Sequence, residues 1–279
     1  MSRFPGLAAR LAGLDIGRVA VELPPEVRVE RDVAYGGDAA QRLDAYYPDG
    51  AHAAPLILFV HGGGWRRGDK AMPRMIRHKM PHWTGRGAVF VSANHRLLPQ
   101  AGPLAQAEDV ASALAFVQRE AERWGADPGR VVVMGHSAGA HLVALLTADA
   151  GMAARHGAQP WLATVALDTA ALNVEEVMSR PHYGFYDPVF GADARFWREA
   201  SPMHRLTAKP AAPMLLVCSS DRDDSCAAAH AFAAKASGFG ARVTVLPVAL
   251  NHLEINDRLG LPDEYTDAVD AFLQSVGIR

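Results

Sequence analysis

The segment VVVMGHSAGAHLVALL, residues 131–146, decides how the chain is read. Four apolar residues, Val131 to Met134, run into Gly135-His136-Ser137-Ala138-Gly139, and an alanine- and leucine-rich stretch of helical character follows. A short β-branched run before the pentapeptide and a helix former after it define a strand, a sharp turn and a helix, the setting that G-x-S-x-G requires. A turn this tight strains the serine backbone, and side chains at the two flanking glycine positions would collide with it. The serine hydroxyl then stands clear at the sheet edge, with the next N–H at a positively polarised helix N-terminus. The plain alternative is a helix N-cap serine beside packing glycines.

The same strand-like signature recurs along the chain. PLILFV (55–60), GAVFVSA (87–93), RVVVMG (130–135), WLATVAL (161–167), PMLLVCS (213–219) and RVTVLPV (242–248) are short and apolar without alternation. That is the pattern of parallel strands covered on both faces. EVRVERDVAY and QRLDAYYP alternate more, as an antiparallel pair at the sheet edge would. Val110, Ala113, Leu114 and Val117 share one helical face, and Tyr265, Val269, Phe272 and Leu273 share another. Strand–helix alternation predicts a doubly wound, mostly parallel α/β sheet whose functional loops lie at the carboxyl ends of the strands.

The 279 residues, 49% hydrophobic with a formal net charge of −2, suit one domain, residues 1–279. No basic run points to nucleic acid or an anionic membrane as partner, and no apolar stretch is long enough to span a bilayer. The N-terminal MSRFPGLAARLAGLDIGRVAVELPPEV lacks the apolar core of a secretion signal. Cys218 and Cys226, the two cysteines, are read as reduced thiols of a cytoplasmic protein, with a local disulfide as the alternative. His78 and His82 have the spacing of a helical metal pair, but Pro81 intervenes and no carboxylate follows, so neither a metal nor another cofactor is expected.

Upstream, LFVHGGGWRRGD sets His61-Gly62-Gly63-Gly64-Trp65 directly after a strand-like run. Consecutive glycines let backbone N–H groups approach a ligand oxygen, so the amides of Gly63, Gly64 and Ala138 form a candidate oxyanion hole. Downstream of the last strand-like run, RVTVLPVALNHLEIN offers His252 as the base. The acid belongs after PMLLVCSS, where Asp221, Asp223 and Asp224 crowd ahead of a helix; Asp223 or Asp224 can also cap that helix, and Asp221 directly follows the strand.

With HGGGW, GHSAGAHL and a late Asn-His in this order, the chain resembles α/β-hydrolases. More narrowly it resembles bacterial carboxylesterases near the hormone-sensitive-lipase and kynurenine-formamidase-like groups. QRLDAYYP, NHRLLP and GADPGRVVVMGHSAGAHL extend that resemblance over most of the length. It implies Ser137 as nucleophile and His252 as base, with an acid loop resembling a subgroup that ends in Arg-x-Asp-Ser-Cys and so favours Asp224, Asp221 being the alternative. His95 stands in NHRLLP where lipase-like relatives often carry tyrosine, as a pocket or structural residue. Residues 168–206, irregular and aromatic, resemble a lid insertion, with Phe185, Tyr186, Phe190 and Trp197 beside Trp65 as a candidate pocket wall. The function expected is hydrolysis of short-chain acyl or aryl esters, with a small-molecule ester as partner; arylformamidase action on N-formylkynurenine is the nearest alternative, and a non-catalytic binding module is a third. Homodimer formation is left open.

Overall fold

The structure is a computed structural model that describes residues 21–278. Most of the N-terminal segment read above for a secretion signal lies outside the described residues. Eight strands form one sheet: β1 (Val27–Ala34), β2 (Arg42–Pro48), β3 (Ala54–Val60), β4 (Val89–Ala93), β5 (Ala126–His136), β6 (Ala163–Leu167), β7 (Met214–Ser219) and β8 (Val243–Val248). Their spatial order is β1-β2-β4-β3-β5-β6-β7-β8. β1 pairs antiparallel with β2, and β2 with β4; every other pairing is parallel. Each apolar run named above is a strand, and the two alternating ones are the antiparallel pair at one edge.

The helices are α1 (Pro73–Ile76), α2 (Lys79–Thr84), α3 (Pro103–Glu120), α4 (Ala138–Ala148), α5 (Ala150–Arg155), α6 (Val174–Met178), α7 (Asp187–Phe190), α8 (Ala194–Glu199), α9 (Pro202–Arg205), α10 (Ser225–Ser237), α11 (His252–Arg258) and α12 (Glu264–Ser275). Because successive strand residues point to opposite faces, Leu56, Leu58 and Val60 pack into one core with residues of α3, α4 and α10. Ile57 and Phe59 pack into the other, with Met75 and Ile76 of α1, Trp83 of α2, and Val269 and Phe272 of α12. Two buried faces are why β3, β4, β6 and β7 carry no alternation; the edge strand β8 is only partly buried. Val110, Ala113, Leu114 and Val117 are buried on α3, and Tyr265, Val269, Phe272 and Leu273 on α12, as their spacing predicted. Helix α4 is buried along its whole length and follows directly on β5, an interior strand of the sheet.

No helix among the described residues is long and apolar enough to cross a membrane. The segment between β6 and β7 carries the four short helices α6 to α9.

Candidate active site

Ser137 sits between β5 and α4 with φ 57° and ψ −117°. Left-handed φ is costly for a non-glycine residue, and such strain persists only where the surroundings over-determine it. Here they do. The Ser137 amide donates to the Leu167 carbonyl of neighbouring β6 at 2.9 Å. The glycines on either side permit the approach. A Cβ on Gly135 would lie 2.4 Å from the Gly139 carbonyl oxygen, and one on Gly139 would lie 2.3 Å from the Val60 carbonyl oxygen. Both are far inside any real contact, so the pentapeptide needs glycine at both places because β3, β5 and α4 converge there. No side-chain capping bond from Ser137 exists, so the N-cap alternative fails and the hydroxyl is free for other work.

The glycine loop after β3 wraps against this turn. Gly62 is held against the His136 carbonyl and the Ser137 side chain. Gly63, Gly64 and Trp65 all take positive φ, 133°, 61° and 60°. Gly63 turns its carbonyl to the amides of Arg66 and Arg67. Among the described residues no acceptor takes the amides of Gly63 and Gly64, and the Ala138 amide opens a helix, where no intrahelical acceptor exists. Trp65 is buried rather than lining open space. Its Nε1 donates to His141 Nδ1 at 3.1 Å, and His141 Nε2 donates to the Ala200 carbonyl at 2.7 Å. This relay fixes the His141 tautomer and ties the glycine loop, through α4, to Ala200 in the segment between β6 and β7. Burial lowers the His141 pKa to about 4, keeping it neutral.

His252 opens α11. Asn251 caps that helix and forms a reciprocal capping box with Glu254, which places the imidazole at a defined helix start. From beneath, buried Lys79 donates to the Asn256 carbonyl and Asn256 Nδ2 donates to the Arg74 carbonyl at 2.8 Å; burial brings the Lys79 amine down to about 7. Ser137 Oγ lies 2.9 Å from His252 Nε2. The other ring nitrogen, Nδ1, donates at 2.5 Å to Asp168 Oδ2.

The carboxylate on His252 is therefore that of Asp168, not of Asp224 or Asp221. Asp168 is the residue immediately after β6, itself at φ 54° and fully buried. Its amide donates to the Val217 carbonyl at 2.8 Å, which sets it level with the end of β7. Asp224 and Asp221 are both exposed. Asp224 reaches Arg222 instead, 3.0 Å from Nη2, and its side chain makes no helix-cap bond. The loop after β7 thus supplies donors to the acid rather than the acid. The Ser219 amide donates to Asp168 Oδ1 at 2.9 Å, the Ser225 hydroxyl donates to the same oxygen, and Arg222 Nη1 donates to Oδ2 at 2.8 Å. Burial pushes the Asp168 carboxyl up, but the His252 hydrogen bond and charge, the Arg222 charge and the Ser225 hydroxyl outweigh it and hold it well below the usual carboxylate range.

Cys218 and Cys226 are joined in a disulfide that brackets this loop. The reading of reduced thiols is corrected, and the cytoplasmic assignment loses the feature it rested on. The return of α10 over the end of β7 brings the two Cα atoms to 5.1 Å, within bonding range.

The other expected pocket residues divide. His95 is buried and stacks on His61, ring centres 4.7 Å apart; burial first, then the neighbouring ring, lowers its pKa to about 3. It packs behind the glycine loop. Tyr186 and Phe190 pack on Trp65 at 5.9 and 5.0 Å between ring centres. Trp197 is half-buried and donates to the Phe190 and Gly191 carbonyls. Phe185 stands over the glycine loop, its ring 4.0 Å from where a side-chain carbon on Gly64 would lie. His82 Nε2 donates to Asp270 Oδ2 at 2.8 Å. Sequence reasoning missed Asp168, Ser219, Arg222 and Ser225; the one available signal was an aspartate directly following an unbroken apolar strand.

The BD-FAE family profile matches residues 43–177 of the chain. A "Probable isoprenylcysteine alpha-carbonyl methylesterase" of Oryza sativa subsp. japonica is 29% identical over 170 residues, 58% of this chain and 40% of that protein. Carboxylesterase NlhH of Mycobacterium tuberculosis is 30% identical over 155 residues, 52% of this chain and 48% of that protein. The chain spans less than half the length of these curated relatives. The crystal structure of esterase B from Lactobacillus rhamnosis superposes with a TM-score of 0.75 at 20% identity, over 96% of this chain and 90% of that one. At that identity the likeness concerns the fold, and the chain has the α/β-hydrolase fold.

Proposed function

We propose that this chain is a serine carboxylesterase that hydrolyses short-chain acyl or aryl esters through an acyl-enzyme. The observation that carries the reading is the unbroken line from Asp168 through His252 to Ser137, 2.5 and 2.9 Å, with Ser137 on a strained turn facing the Gly63–Gly64 loop. Ser137 Oγ attacks the ester carbonyl as His252 Nε2 takes its proton. The tetrahedral oxyanion is held by the amides of Gly63, Gly64 and Ala138, each donor accounting for about 100- to 1,000-fold in rate. His252 returns the proton to the leaving alcohol, and water activated by the same nitrogen then releases the acid. Asp168 fixes the Nδ1–H tautomer and offsets the charge on the imidazolium. Residues 168–206 are the lid, and Phe185 over the glycine loop is the feature that supports an acyl or aryl pocket wall. The named activities of the curated relatives, a carboxylesterase and a methylesterase, support the same chemistry.

The test is kcat/KM for p-nitrophenyl acetate, butyrate and octanoate beside N-formyl-L-kynurenine, in wild type and Ser137→Ala. Preference for a short ester, abolished in Ser137→Ala, is the expected result. Efficient deformylation with negligible ester hydrolysis would overturn the ester assignment, and retained activity in Ser137→Ala would overturn the mechanism.

A further inference from the structure

Arg222 occupies an unusual place. Its Nη1 lies 2.8 Å from Asp168 Oδ2 and 3.1 Å from His252 Nδ1, so two N–H donors share one carboxylate oxygen. Its Nη2 reaches Asp224 at 3.0 Å, and only 17% of its side chain is exposed. The elements flanking its loop, the end of β7 and the start of α10, bring Ser219 and Ser225 to the other carboxylate oxygen, and Cys218–Cys226 joins those two elements. A guanidinium keeps its charge at every accessible pH. Placed beside an imidazole, it disfavours the imidazolium, opposing the carboxylate that favours it.

We propose that Arg222 is a positioning residue for the Asp168–His252 pair, clamping the carboxylate beside the imidazole and setting the pH below which His252 becomes protonated. Asp224, exposed and paired with Nη2, acts in this arrangement by orienting the guanidinium. The groups that face His252 are few. Asp168 comes from the end of β6, Arg222 from the loop after β7, and Ser137 and His136 from the end of β5. His136 is buried, its Nε2 donates to the His252 carbonyl at 2.9 Å, and its ring centre lies 4.7 Å from that of His252. Burial and the His252 charge hold His136 neutral, while Lys79 behind it and Tyr186 beside Arg222 complete the surroundings. Among the described residues, Arg222 is therefore the one fixed cation in direct contact with the ring.

The proposal builds on the esterase reading only for its kinetic arm, so the primary measurement does not require turnover. The His252 ring is titrated by NMR in wild type, Arg222→Met, Arg222→Gln and Arg222→Lys, its signal identified by loss in His252→Gln. Removing the charge is expected to raise the His252 midpoint by about one pH unit in both neutral variants, while Arg222→Lys stays near wild type. If Arg222→Met does not fold, Arg222→Gln, which keeps a donor to Asp168, carries the test. The acid limb of kcat/KM should move upward by the same amount. A midpoint in Arg222→Gln equal to wild type would overturn the proposal, whatever the activity; a moved midpoint in a protein without esterase activity would leave it standing and overturn the functional reading alone.

Discussion

Replacing Asp168 by asparagine separates the two assignments of the acid. Asp168 receives the Ser219 amide and the Ser225 hydroxyl on Oδ1, and His252 Nδ1 and Arg222 Nη1 on Oδ2. Asparagine has one acceptor oxygen and an NH2. If its oxygen keeps the serines, its NH2 meets two donors. His252 must then carry its proton on Nε2, where it can no longer accept from Ser137. From the tautomer effect in a comparable triad, the expected loss is about 10^3- to 10^4-fold in kcat, or about 4–5.5 kcal/mol, with KM nearly unchanged. Arg222 also loses its buried partner, so a stability loss of about 3 kcal/mol accompanies it. Activity with p-nitrophenyl acetate is therefore normalised to sites titrated with a phosphonate ester, and folding is checked by circular dichroism. Asp221→Asn and Asp224→Asn, both at exposed positions, should stay within about tenfold of wild type, Asp224→Asn acting only through Arg222. The reasoning is refuted if Asp168→Asn stays within tenfold of wild type, or if Asp224→Asn loses three orders of magnitude.

Acid should unfold the protein through its buried histidines. His61, His95, His136 and His141 are all held below the ordinary histidine value by burial, His95 at about 3 and His141 at about 4. Their depressed folded values make stability fully present above the unfolded value near 6.5 and lost below it, at up to about 1.4 kcal/mol per pH unit for each. Asp168 titrates lower still and adds nothing to this window. Calorimetry should show Tm falling steadily from pH 6.5 to 4.5, and a flat profile would contradict the assignment of neutral buried rings. The Cys218–Cys226 bridge, spanning a separation of 8 residues, should contribute about 2.5 kcal/mol through loop closure. Cys226→Ser should therefore lower Tm by about 4 °C and leave an equal free thiol at Cys218 detectable after unfolding; a variant as stable as wild type would show the bridge to be without thermodynamic weight.

What the sequence disclosed and what it hid follow from the range over which each feature is determined. The strands were legible because a parallel strand covered on both faces must be apolar at every position, as Leu56 to Val60 are. The serine turn and the glycine loop were legible because the steric demands on Gly135 and Gly139 are met within a few residues, and His252 followed from its place after the last strand. The acid was not. Its identity depends on β6 and β7 being neighbours, a long-range fact that sets Asp168 level with Ser219, and three aspartates in the adjoining loop presented a denser local signal. Arg222 stood in plain view between two of them, but only the pairing of the strands shows which carboxylate it serves. The disulfide was hidden for the same reason: a separation of eight residues permits a bridge without requiring one, and the return of α10 over β7 decides it.

The measurement that bears most directly on the central claim is covalent trapping of the nucleophile. Wild-type protein is treated with diethyl p-nitrophenyl phosphate, and the modified residue is located by peptide mass spectrometry, with Ser137→Ala and His252→Gln treated in parallel. The account predicts one diethylphosphoryl group per chain on Ser137, none in Ser137→Ala, and labelling slowed by orders of magnitude in His252→Gln. A stoichiometric label on another residue, or a wild-type protein that releases p-nitrophenol no faster than Ser137→Ala, would contradict it.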